Sequence, residues 1–117
     1  MISLGEAVAI LHGIALFPGL TMPGLAEAMS FLIQRELRTP SAMRAAMPLC
    51  RRVLLDQHPW LDRIIVPFNR LVQGDQVYLW CWRDAVEHRH REHLVDGKSL
   101  VVETVDASDV VFEDLLD

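Results

Sequence analysis

The chain has 117 residues, 51% of them hydrophobic and 23% charged, with a net charge of −5. This length suits one domain, residues 1–117, and the apolar content is enough for a sizeable core, which excludes a disordered chain. The mild acidity argues against general affinity for nucleic acid or anionic membranes.

Ala7 to Phe17 is apolar, but no Lys or Arg precedes it; the first is Arg35. That is a poor secretory signal. His12, Pro18, Pro23 and Glu27 interrupt the early residues before a membrane-spanning length is reached. The two cysteines, Cys50 and Cys81, lie in apolar helical patterns away from metal-ligand spacings. They are expected to be buried thiols in a reducing cytoplasm.

Ser3 and Glu6 form a capping-box pattern, S-x-x-E, and predict a first helix from Leu4 to Leu16. Phe17 to Gly19 is a turn. Thr21 caps a second helix with Pro23 in its first turn; Leu25, Met29, Leu32 and Ile33 form its apolar stripe. The apolar faces of this hairpin are wider than a two-helix contact needs, which suggests packing on a third helix or a dimer surface.

Thr39 and Pro40 start that third helix, which runs to Gln57 before His58-Pro59 ends it. Met43, Met47, Cys50 and Leu54 make one stripe at helical period. Pro48 falls on the far side, about 140° from Met43 at ~100° per residue, where water can satisfy the carbonyl it frees. Either one kinked helix or two short ones fit.

A Pro-containing amphipathic helix ending in this QHPWL turn resembles an uncharacterised family of small phage and prophage proteins. The matching residues are Leu37 to Pro40, Ala45, Pro48, Leu54, Leu55 and Gln57 to Leu61. The resemblance covers about half the chain. It implies a phage-related origin and a host-directed role, and it brings no catalytic residues.

Beyond Pro59, Trp60, Leu61, Ile64 and Ile65 are expected to close over the core in a short helical turn. Phe68 to Gly74 is a connector with room for a single turn. Asp75 caps a fourth helix from Gln76 to about Leu94, with Val77, Trp80, Cys81, Ala85 and, less regularly, Leu94 along one side. Val77 to Trp82 is also rich in β-formers, so a strand is the alternative. Asp96-Gly97 is a turn signal, and Ser99 to Val105 is the best strand in the chain. It needs a partner, either Val77 to Trp82 or the same strand of a second subunit. Ser108 caps a final helix, Asp109 to Leu116. The fold expected is mainly α (α+β), a small helical domain with one short strand or hairpin near the C-terminus.

Charge is uneven: Arg35 to Arg70 holds seven Arg and three acids, whereas Glu103 to Asp117 holds six acids and no base. The acidic tail is expected to dock on the basic middle of its own chain, or to solvate the end. An acidic patch for a basic partner is the alternative.

Glu87, His90 and His93 are spaced as an E-x-x-H unit extended by one turn, a pattern that serves zinc or iron when other helices add carboxylates. The flanking charges favour a solvated face instead. Cys50 with His58 shows no sign of an activated thiol. His12 fits a core or interface histidine. No nucleotide, phosphate or nucleophile-elbow motif is present, so no cofactor is expected. Arg44, Arg51 and Arg52 share one helix and fit a phosphate-tracking face, the basis of a small DNA-binding regulator as the alternative function. If Val77 to Trp82 is helical, Trp80 and Trp82 diverge by about 200° and one must be exposed. Exposed Trp often anchors binding. The reading is a non-enzymatic protein-binding module with partner-binding candidates Trp80, Trp82, Arg44, Arg51 and Arg52, expected to act as a homodimer in the bacterial cytoplasm.

Overall fold

Three helices packed on one another form the core, and their ends are set by caps the chain supplies locally. The computed structural model describes residues 1–13 and 19–110. Helix α1 (Leu4–His12) opens on the expected capping box, with Ser3 Oγ accepting from Glu6 N at 3.1 Å and Glu6 Oε1 from Ser3 N at 2.8 Å. It stops earlier than Leu16. Gly13 takes the left-handed conformation, φ 74°, and its N–H reaches Ala9 O. Arg51 Nε donates to the neighbouring Ile10 carbonyl at 3.1 Å. A Cβ on Gly13 would lie 3.2 Å from that guanidinium, so glycine suits both the backbone and the approach. The remaining expected residues of this helix lie outside the described ones.

Helix α2 (Met22–Ile33) is capped by Thr21, and α3 (Pro40–Gln57) by Thr39. Leu25, Met29, Leu32 and Ile33 are all fully buried, as are Cys50 and Leu54 on α3. Helix α3 is continuous, with Pro48 exposed as its angular position requires. The wide apolar faces of α1 and α2 are covered by α3, which contacts both.

A short 3-10 helix, Pro59–Arg63, follows α3. Leu61 and Ile64 close over the core as expected, but Ile65 is 85% exposed. Two further helices, α4 (Phe68–Gln73) and α5 (Gln76–Arg89), form an arm beside the core. Val77 to Trp82 is therefore helical. Helix α5 ends before Leu94, at His90, and a 3-10 turn (Arg91–His93) follows. Arg91 Nη1 takes the His88 carbonyl at 2.8 Å, which closes the helix end.

The sheet differs from expectation. Strand β1 (Ile2–Ser3) pairs antiparallel with β2 (Ser99–Leu100), Ile2 opposite Leu100 and Ser3 opposite Ser99. The partner of the predicted strand is thus the N-terminus of the same chain. Asp96 and Gly97 make the expected turn, both at positive φ. After Leu100 the backbone leaves the ladder. Val105 N donates to Leu32 O at 2.9 Å and Ala107 N to Ile33 O at 3.0 Å, using carbonyls left free at the end of α2. Gln57 bonds Glu103 twice, through N and O. The expected final helix lies almost wholly outside the described residues.

Candidate functional site

Helix α5 turns a different face inward from the one expected. Leu79 and Val86 are buried and Trp82 is half-buried, while Val77, Trp80, Cys81 and Ala85 are exposed. Cys81 is therefore not a buried thiol. Cys50 is, and burial pushes its thiol up to about 12. The divergence of Trp80 and Trp82 is realised: Trp80 is 46% exposed and Trp82 rests against the core.

Trp80 belongs to a larger exposed apolar set. Ile65, Phe68, Val72, Val77 and Tyr78 are all exposed, with Val72 at 86% and Val77 at 77%. They fall between residues 65 and 80, on the connector, α4 and the start of α5. No side chain of α4 is buried. Two guanidiniums lie over the aromatic faces, Arg70 4.8 Å from the Tyr78 ring and Arg83 5.1 Å from the Trp80 ring. Arg70 also pairs with Asp75 and Arg83 with Glu87, at 3.1 and 2.9 Å. The sequence marks Trp80 but not Ile65 and Val77, which it places toward the core, nor Phe68 and Val72, which fall in the expected connector where α4 lies.

A second cluster surrounds Trp60. His90 and His93 both stack on its indole, each with centroids 4.7 Å away and planes tilted by 26° and 16°. Their own centroids are 6.4 Å apart. Rings on opposite faces would stand about 7 Å apart or more, at ~3.5 Å stacking heights, so both imidazoles cover one face. His58 meets the same ring edge-on at 6.1 Å, and its Nε2 lies 2.8 Å from the Val101 carbonyl. The Trp60 indole N–H is buried with no acceptor among the described residues. Burial, then the neighbouring His93 and Arg89 charges, hold the His90 imidazole below its ordinary value. The histidines are thus a packed aromatic group as well as part of a charged segment.

Glu87 stays apart from them, held by Arg83. Among the described residues no three His, Cys, Asp or Glu side chains converge as a metal-ligand set. His12 is exposed rather than in the core; it meets the Phe68 ring edge-on at 6.0 Å.

The three arginines of α3 divide. Arg44 and Arg51 line one groove of about 430 Å³ with Met22, Met43 and Met47. Arg52 faces another, beside Leu49 and Val110. Arg51 is held at the end of α1, so they do not form one free phosphate-tracking face. Arg35 donates to the Ala107 and Val110 carbonyls, which brings the start of the acidic tail to the basic middle of the chain.

A third groove, about 320 Å³, runs between the exit of the Pro59–Arg63 turn and α5. Arg63, Arg89 and His90 line it together with Ile64, Trp82 and Val86. No sequence signal pairs residues 63 and 89, which are on different elements.

Among the described residues no helix is long and apolar enough to cross a membrane. No protein-family model, no curated protein and no solved structure matches this chain.

Proposed function

We propose that the chain is a non-enzymatic protein-binding module of phage or prophage type. It docks the α4–α5 arm onto a host or phage protein in the bacterial cytoplasm and modulates it, a defence component being one such target. The observation that carries this reading is the run of exposed apolar side chains from Ile65 to Trp80. Scattered exposed apolar residues need no explanation, but a set gathered on one arm, with aromatic anchors and arginine beside them, has the composition of an interface core. The phage association rests on the resemblance of the α3 helix and its QHPWL turn.

The homodimer, expected through the N-terminal hairpin or the Ser99–Val105 strand, we move to this face, where it competes with the partner, because α3 already covers the apolar sides of α1 and α2. The test is quantitative capture from the native host with wild-type protein and a Val77→Asp/Trp80→Ala double variant, followed by reconstitution with the purified partner. A direct partner lost at least tenfold by the variant is expected. Equal recovery of every direct partner by a folded variant refutes the reading, and light scattering on both proteins reports the homodimer.

A further inference from the structure

The groove between the Pro59–Arg63 turn and α5 carries two guanidiniums that the fold does not use. Arg63 and Arg89 have no ion-pair partner among the described residues. The contrast lies on the same arm: Arg70 and Arg83 each hold a carboxylate, Asp75 and Glu87. Among the described residues no Asp or Glu lines the groove, although the chain carries a net charge of −5. Arg89 and His90 stand close enough that the guanidinium charge helps depress the imidazole. Arg89 lies in the last turn of α5, where free carbonyls favour a cation, but the dipole supplies no counter-ion. It does not explain Arg63 on the opposite wall.

The floor between these charges is apolar, formed by Ile64, Trp82 and Val86, and Ile65 stands exposed at the rim. Paired guanidiniums are suited to a carboxylate, which they can grip in a bidentate fork. An apolar floor between them suits a side chain adjacent to that carboxylate. We propose that this groove binds an acidic segment of the partner protein, a carboxylate held by Arg63 and Arg89 with a neighbouring apolar side chain seated on Trp82. The inference rests on the protein-binding reading and deepens it by naming the chemistry of the partner. Among the described residues Glu92 is the carboxylate whose charge acts on His90, and it does not line the groove.

The experiment titrates the full chain with three short peptides that alternate Leu with Glu, Gln or Lys, each made with a free and an amidated C-terminus. Tryptophan fluorescence and the arginine side-chain resonances report binding. The Leu–Glu peptide is expected to bind saturably in both forms, and the Gln and Lys peptides at least tenfold more weakly. Binding that is lost on amidation of the Leu–Glu peptide assigns the carboxylate to a chain end and overturns the acidic-segment proposal. Arg63→Glu and Arg89→Glu should each weaken the Leu–Glu peptide at least tenfold, whereas Arg44→Glu, on another groove, should not. Circular dichroism confirms that each variant is folded; Arg63→Gln and Arg89→Gln replace any that is not. No saturation up to millimolar peptide, equal binding of the Gln peptide, or binding unchanged in the arginine variants overturns the proposal. So does a single-stranded oligonucleotide that displaces the Leu–Glu peptide and binds more tightly, since the groove would then be a nucleic-acid surface. Failure here, with capture still lost on Val77→Asp/Trp80→Ala, removes the groove and leaves the binding module standing.

Discussion

Leu54→Ala tests whether the core is organised around α3. Leu54 is fully buried on the stripe that meets α1 and α2, and its carbonyl accepts from His58 N at 2.8 Å where the chain turns into the Pro59–Arg63 helix. The substitution removes three carbon groups, which at ~0.8 kcal/mol each is about 2.4 kcal/mol of transfer free energy. A cavity term adds to this, because helices on two sides and the capped turn beyond leave little freedom to collapse. The expected loss is about 3–4 kcal/mol, within the range for buried Leu→Ala changes. Against a total stability of roughly 5–15 kcal/mol this is a large share. Urea unfolding followed by far-UV circular dichroism measures it, with Leu55→Ala, on the half-buried side of the same helix, as the smaller comparison. A loss below about 1 kcal/mol for Leu54→Ala would refute the packing argument, since no buried leucine in a rigid site costs so little.

Two solution properties follow from titrating groups. His12 and His90 are both held below the ordinary imidazole value, half-buried His90 by burial with the His93 and Arg89 charges, and surface-exposed His12 by partial desolvation with the Arg51 charge. The unfolded chain therefore takes up these protons first as pH falls, so stability is full above the unfolded imidazole range, declines through it, and levels off below the folded values. Midpoints of urea unfolding between neutral and mildly acidic pH should fall, and His12→Gln with His90→Gln should flatten the slope; an unchanged slope rejects this cause. In the native protein Cys81 should react with a thiol reagent and Cys50 should not, because Cys50 is buried with its thiol raised to about 12. Equal reactivity of the two before unfolding would contradict the burial.

What the sequence made legible was mostly local. Ser3, Thr21, Thr39 and Asp75 each cap an N–H three residues away, so the signal and the structure lie within one turn. The α2 and α3 stripes were readable because polar residues mark their other sides. The face of α5 was not, since Val77 to Trp82 is apolar almost throughout and offers no contrast. Its inward side is Leu79, Trp82 and Val86, with Arg83 between them and partly buried against Glu87. A charged residue on that side hides the stripe until its partner is known. The Trp60 group and the Arg63–Arg89 groove were beyond reach for another reason. Each joins residues about thirty positions apart on elements whose packing no local pattern encodes.

The segment after Leu100 shows why strand propensity misled. Residues Val101 to Val105 have the side chains of a strand, yet only Ser99 and Leu100 enter a ladder. β-branched residues favour an extended backbone; they do not say which groups will satisfy it. Here the donors go to helix ends. Val105 and Ala107 bond the last carbonyls of α2, and Gln57 and His58 at the end of α3 take Glu103 and Val101. The same contacts close carbonyls that a helix end leaves open and donors that an isolated strand leaves open. Ala107 is fully buried by this arrangement. The segment therefore ties the ends of α2 and α3 together within one chain, so it has no need of a second subunit. The α4–α5 arm has no such tie. Its apolar side chains, Val72 and Val77 above all, stay in water. Exposed apolar side chains also stand elsewhere, at Met22, Phe31 and Val101, so the arm is set apart by how many it gathers between residues 65 and 80 rather than by exposure alone.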